Sequence, residues 1–339
     1  MSLRRSVRIT FPFILIAAIY FVGSTPEKPR YNTALPHVSA GSVDLENLVT
    51  ENESRHNLKP DNHARIVWAD SAHTKTEFAI VYLHGFSASQ KEGDPVHIRF
   101  AREFGCNLYL SRLADHGIDT TESLLYFTAD RIWESAKQAL AIGNNLGKKV
   151  ILMSTSTGGT VALKLAAEYP DKVHALINLS PNIAINNPAA FLLNDPWGLH
   201  IARMVMGGKY RETGANNEKS QYWNNKYRLE SVVELQELVE TTMTNSTFER
   251  IHQPTLTLYY YKNEDEQDPE VKVSAMLEMH DRLSTPADMK VAKAIPTAGA
   301  HVIGGSLVSK DVESVYREIR EFATQKLAIK PTGMILVQN

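Results

Sequence analysis

The chain has one cysteine among 339 residues, Cys106, so no intrachain disulfide and no thiolate zinc cluster can form. Cys106 sits in "REFGCNLYL", at the start of a predicted strand, where a buried structural thiol is expected. Basic residues do not exceed acidic ones. Lys and Arg number 36 against 38 Asp and Glu, so no basic face is available to neutralise phosphates, and nucleic-acid binding is not expected. The 12 histidines fall in no H-x-x-x-H or H-E-x-x-H spacing, so no metal is expected. Internal repeats and low-complexity blocks are missing as well.

Apolar runs long enough to cross a bilayer, about 20 residues, are also lacking. The longest, "FPFILIAAIYFV", covers residues 11–22 and follows Arg4, Arg5 and Arg8. A basic start, a short apolar core and the small pair Gly23-Ser24 have the form of an export signal over residues 1–24, or of an uncleaved N-terminal membrane anchor. The expected location is therefore exported or membrane-anchored, outside the cytoplasm. Residues 25–60 begin with a polar stretch carrying three prolines in "STPEKPRYNTALPH" and are expected to be a tether. The folded domain is expected over residues 61–327, with a C-terminal tail at 328–339. Nothing in the sequence fixes an oligomeric state.

What is present is an alternation. "ARIVWA", "FAIVYL", "NLYLSRL", "KVILMS", "VHALINLS", "TLTLYYY" and "KVAKAI" are β-rich, and helical spacing separates most of them. Strands joined through helices predict an α/β protein whose mainly parallel sheet is covered on both faces. About 70 residues interrupt the pattern between "INLS" and "TLTLYYY". They hold their own apolar helices, which predicts a helical cap over about 182–250, inserted before the strand that follows.

At the end of the strand "KVILMS" stands "STSTGGT". Ligands of parallel α/β sheets bind at the carboxyl ends of strands. A nucleophile placed there needs a sharp strand-to-helix turn with small residues two positions before and after it. Ser156 has Ser154 and Gly158 at those positions. The helix that follows offers unpaired N–H groups and a positive dipole end.

"STSTG" resembles the G-x-S-x-G nucleophile elbow of the α/β-hydrolase superfamily, with Ser154 in place of the first glycine. "VYLHGF" is similar to the H-G-x segment after the third strand of that superfamily, and "AIPTAGAHVI" to its G-x-H loop. "LSRLADHGI" is similar to the R-L-x-x-H-G segment of its capped carboxylesterases and lipases. The resemblance runs from about Ala64 to Leu327. It implies Ser156 as nucleophile, His301 as base, and the backbone N–H groups of Phe86 and Thr157 as oxyanion donors. His84, Gly85, His116 and Gly117 would be structural loop residues.

The resemblance puts the third member, an acid, in the loop after "TLTLYYY". Asp268-Pro-Glu-Val271 fits the D-x-x-V spacing into the next helix, whereas counting from the strand end selects Glu264 or Asp265. The spacing to the helix favours Asp268. Trp197, Tyr222 and Trp223 of the cap are candidates for an acyl pocket or for packing of the cap. The implied activity is cleavage of a small-molecule carboxylic ester through an acyl-enzyme, without a cofactor. Thioester or peptide cleavage on the same groups, and a silent fold used as a tethered binding protein, are the alternatives.

Overall fold

The computed structural model describes residues 20–38, 41–214 and 217–332. Most of the expected export signal or anchor lies outside them. Among the described residues no helix is long and apolar enough to cross a membrane.

Among the described residues, seven strands form one sheet. In chain order they are β1 (Arg65–Val67), β2 (Thr76–Leu83), β3 (Asn107–Leu110), β4 (Gly147–Thr155), β5 (Ala175–Leu179), β8 (Thr255–Tyr259) and β9 (Lys290–Ala294). Their spatial order is β1-β3-β2-β4-β5-β8-β9. β1 pairs antiparallel with β3, and every other pair is parallel. Parallel neighbours need crossovers, and helices supply them. These are α2 (Val96–Phe104), α3 (Ala129–Leu146), α4 (Thr157–Glu168), α9 (Val273–Arg282) and α10 (Val312–Gln325).

The strand period of two splits the central strands between two cores. Ala79, Val81 and Leu83 of β2, with Val150 and Leu152 of β4, face the side packed by α3 and α4. Ile80 and Tyr82, with Ile151 and Met153, face the side packed by α2 and α10. Both faces are therefore buried, as the continuous apolar runs require. Cys106 is buried at the head of β3, and burial pushes its thiol up to about 12.

Three expectations change. The segment 25–60 is not a free tether. It contains α1 (Ser42–Ser54), whose Leu45 and Val49, four residues apart, bury into the core shared with α3. Upstream, Asp130 at the start of α3 accepts the backbone N–H groups of Arg30 and Tyr31, and the Trp133 indole N–H donates to the Asn32 carbonyl (2.8 Å). Tail residues also pack: Ile329 is buried, and Thr332 N–H donates to the Glu103 carbonyl.

The inserted segment is not purely helical. Besides α5 (Gly198–Val205) and α6 (Asn217–Tyr222) it holds an antiparallel pair, β6 (Tyr210–Glu212) and β7 (Lys226–Arg228). Its last helices, α7 (Leu229–Thr242) and α8 (Asn245–Phe248), bury Leu238, Val239 and Phe248 in the same core as α3 and α4.

Candidate active site

Ser156 stands between β4 and α4 with φ 53° and ψ −120°, outside the regions that L-residues ordinarily occupy. Such strain persists only where the surroundings over-determine it. Here Ser156 N–H donates to the Leu179 carbonyl of β5 (3.1 Å). Its own carbonyl accepts the N–H groups of Gly159 (2.8 Å) and Asn182 (2.9 Å). The glycine two residues later is a steric requirement, because a Cβ on Gly158 would overlap the Leu83 carbonyl oxygen at the end of β2. Ser154 is buried and donates its hydroxyl to Asn178 Oδ1 on β5 (3.0 Å). It stands where the expected glycine would be and is tied to the neighbouring strand.

The "HGF" loop after β2 is held from both directions. Leu113 N–H donates to His84 Nε2 (3.0 Å), which fixes the tautomer, so His84 Nδ1–H donates to the Gly85 carbonyl (2.9 Å). That carbonyl belongs to the same peptide unit as the Phe86 N–H, so His84 orients this N–H. Burial, then the neighbouring His116, holds the His84 ring well below the usual imidazole range, and it stays neutral. His84 is therefore held within the loop by both ring nitrogens. The "LADHG" loop supports it from behind. His116 packs edge-on against both His84 and Phe86, and the Arg112 guanidinium pairs with Glu53 of α1 (2.8 and 3.0 Å). α1 thus braces the loop that carries Phe86. Among the described residues, the backbone N–H groups of Phe86 and Thr157 have no partner.

Asp268 is fully buried. Its Oδ2 lies 2.7 Å from His301 Nδ1, and its Oδ1 accepts the N–H groups of Glu270 (2.9 Å) and Val271 (3.1 Å). The Asp-Pro-Glu-Val spacing is therefore the spacing of a turn closed by the carboxylate itself. Burial alone would lower the His301 imidazole. The charge of Asp268 and its hydrogen bond, then Glu92 and Glu270, outweigh burial and raise it above the ordinary value. The other candidates face outward: Glu264 accepts the Tyr261 hydroxyl (2.9 Å), and Asp265 is exposed.

Ser156, Thr157, Phe86 and His301 line one cavity of about 590 Å³. The cap and the acid loop complete its wall with Asn182, Arg211, Lys219, Trp223, Tyr227 and Glu270. Of the three aromatic candidates only Trp223 lines it. Tyr222 turns away, its hydroxyl on Asp61 (3.3 Å) and Lys91 over its ring, and Trp197 packs beside Gly23 and His200. Glu92, also on the cavity wall, was not singled out from the sequence, because "SQKEGD" has the composition of a solvated turn. Among the described residues no cluster of His, Cys, Asp and Glu could hold a metal ion.

Residues 130–265 match the model of a family described as "Serine aminopeptidase, S33". No curated protein matches significantly. Solved structures similar to the chain include one from work on LipS and LipT, two metagenome-derived lipolytic enzymes. It is 15% identical with TM-score 0.60, covering 78% of this chain and 98% of that one. A monoacylglycerol lipase of Paleococcus ferrophilus is 16% identical with TM-score 0.55, covering 77% and 97%. A soluble variant of the Saccharomyces cerevisiae monoglyceride lipase, in complex with a substrate analog, is 11% identical with TM-score 0.58, covering 77% and 90%. Likeness at such identities speaks to fold, and it agrees with the sheet order and the strand-to-helix turn at Ser156. The chain thus has the α/β-hydrolase fold, with a family match over residues 130–265.

Proposed function

We propose that the protein is a serine hydrolase that cleaves carboxylic esters through an acyl-enzyme. The observation that carries this reading is the strained Ser156 opening on the same cavity as an imidazole bonded to a buried carboxylate. In the proposed reaction Ser156 Oγ attacks the ester carbonyl carbon, and His301 Nε2 takes its proton. Asp268 holds the imidazole tautomer and stabilises the imidazolium. The carbonyl oxygen, now negative, accepts the N–H groups of Phe86 and Thr157. Collapse expels the alcohol, which receives the proton from His301. Water then attacks the acyl-enzyme by the same steps and releases the acid.

An apolar acyl group suits the surroundings. Phe191, Leu192, Ile201, Met204 and Val205 of the inserted segment are exposed, and Ala190 and Leu193, on either side of the first two, line the cavity. Peptide cleavage is a second reading, favoured by the description of the matching family model. A fluorophosphonate probe should label the parent protein at Ser156, and p-nitrophenyl esters should turn over faster than aminoacyl p-nitroanilides. An unlabelled protein would make the fold a binding module, and faster anilide cleavage would make it a peptidase.

The protein is also proposed to work outside the cytoplasm, from the arginines and apolar run of residues 4–22. Mass spectrometry of the native N-terminus with cell fractionation tests this. Recovery of the Met1 form in the cytoplasmic fraction would contradict it.

A further inference from the structure

The reaction proposed above leaves one buried carboxyl group on the cavity wall without a role. Glu92 belongs to a short 3₁₀ turn, Gln90–Gly93, and is only 2% exposed. Its Oε2 accepts the N–H of Gly85 (2.5 Å). Gly85 is bare on the side where a side chain would point. A Cβ there would lie 2.9 Å from both Glu92 carboxylate oxygens and 2.9 Å from Ser156 Cβ. The carboxyl therefore sits beside the nucleophile, and only a glycine lets the two approach.

The turn that carries Glu92 is itself fixed to the loop that carries His301. Ser306 N–H donates to the Asp94 carbonyl (2.9 Å), and Pro95 bridges Gly305. His97 Nε2–H donates to the Gln90 carbonyl (2.8 Å) and holds the other end. Glu92 thus links the His301 loop to the peptide on one side of Gly85, while His84 holds the peptide on the other side. The Phe86 N–H follows from both.

We propose that Glu92 is a positioning residue: its carboxylate fixes the Gly85–Phe86 segment over Ser156 and adds negative charge behind the His301 imidazolium. This rests on the Ser156–His301 reading. The groups facing Glu92 are His301, Lys219 of α6 and the buried Tyr82 of β2; on its own turn Lys91 is engaged by Asp94. Burial pushes the Glu92 carboxyl up, and the Gly85 N–H, then His301 and Lys219, pull it part of the way back, to about 7. The ionised form is the stronger acceptor for Gly85. It is also the form that favours the imidazolium, and Glu92 is one of the groups raising His301. Activity is then lost on acidification through two groups rather than one.

The test uses p-nitrophenyl butyrate with the full chain, Glu92→Gln and Glu92→Leu, measuring kcat and KM between about pH 5 and 9 and circular dichroism over the same range. Glutamine keeps an acceptor for Gly85 and cannot ionise. Leucine supplies neither. Leu should lower kcat about 100-fold with KM little changed, the scale of losing one oxyanion donor. Gln should recover to within about tenfold of the parent. The acid limb of log kcat/KM should fall more steeply than a slope of about 1 in the parent, over about the first tenfold loss, and with a slope of about 1 in Glu92→Gln. Equal slopes in those two proteins, or a Gln variant as slow as the Leu variant, would overturn the proposal. If Glu92→Leu does not fold, the slope comparison still decides. Ser156→Ala run beside them separates the layers: activity retained there sinks the nucleophile assignment, whereas its loss together with equal slopes sinks only the role of Glu92.

Discussion

Replacing Ser156 with alanine should reduce ester turnover by roughly 10⁴-fold or more, with the folded state intact. The expectation rests on what the position costs the chain. A residue at φ 53° and ψ −120° is strained, and the fold spends three backbone hydrogen bonds and a glycine at 158 to keep it so. The result is a hydroxyl raised over the end of the sheet, on the wall of the cavity shared with His301. Alanine adopts the same backbone at no greater cost, so circular dichroism and melting should change little while the nucleophile disappears. Ser154→Ala is the control. It breaks the bond to Asn178 in the core between β4 and β5, which should cost about 1 kcal/mol of stability. Its turnover should stay within about threefold. Turnover near the parental rate in Ser156→Ala would remove the assignment. An inactive Ser154→Ala beside an active Ser156→Ala would move the nucleophile two residues upstream.

The sheet was legible because it is buried on both faces. "FAIVYL", "KVILMS" and "TLTLYYY" need no polar side, so they stand out as unbroken apolar runs, each followed by a helical spacing. β6 and β7 were not legible. They are three residues each, polar, and paired only with each other, so neither period nor composition marks them. The segment 25–60 misled for another reason. Its prolines and charges dominate the composition, whereas its contribution to the core comes from a few side chains, Leu45 and Val49, and from backbone groups bound by Asp130. Hydrogen bonds from a backbone N–H to a distant carboxylate leave no trace in a sequence pattern.

The loops around Ser156 divide in the same way. Residues whose role is steric or local could be found: Gly158 follows from its distance to Ser156, and His84 from its place beside Gly85. Glu92 acts at long range, from a different turn, and it is buried only because the fold brings that turn against the loops that carry Gly85 and Ser306. The aromatic residues of the inserted segment show the limit from the other side. Trp197, Tyr222 and Trp223 are alike in sequence, and only the fold decides that Trp223 faces the cavity while Tyr222 bonds Asp61.

Asp268→Asn should lower kcat on the order of 10⁴-fold, while Asp265→Asn and Glu264→Gln keep most of the activity. Two ways of counting compete for the acid, and the loop geometry reconciles them. Tyr261 and Gln267 pair as an antiparallel bridge, so residues 262–266 form a small side loop that projects outward. Asp268 N–H then donates to the Tyr260 carbonyl (3.1 Å), which returns Asp268 to the strand end that direct counting assigns to Glu264 or Asp265. From there Oδ1 closes the turn on Glu270 and Val271, and Oδ2 is left for His301. Asparagine can keep the turn bonds through Oδ1 but then presents an NH₂ group to Nδ1. Two donors cannot share that contact, so the ring would carry its proton on Nε2, the nitrogen that must accept the proton of Ser156. The pH profile gives a second readout. His301 acts as a base only when neutral, so activity falls as pH drops through its raised value. Asp268 is the main group holding that value up against burial. In Asp268→Asn the residual activity should therefore survive to lower pH than in the parent. An Asp268→Asn protein that turns over p-nitrophenyl esters near the parental rate, with an unmoved acid limb, would exclude Asp268, and collapse of the Glu264 or Asp265 variant would identify its replacement.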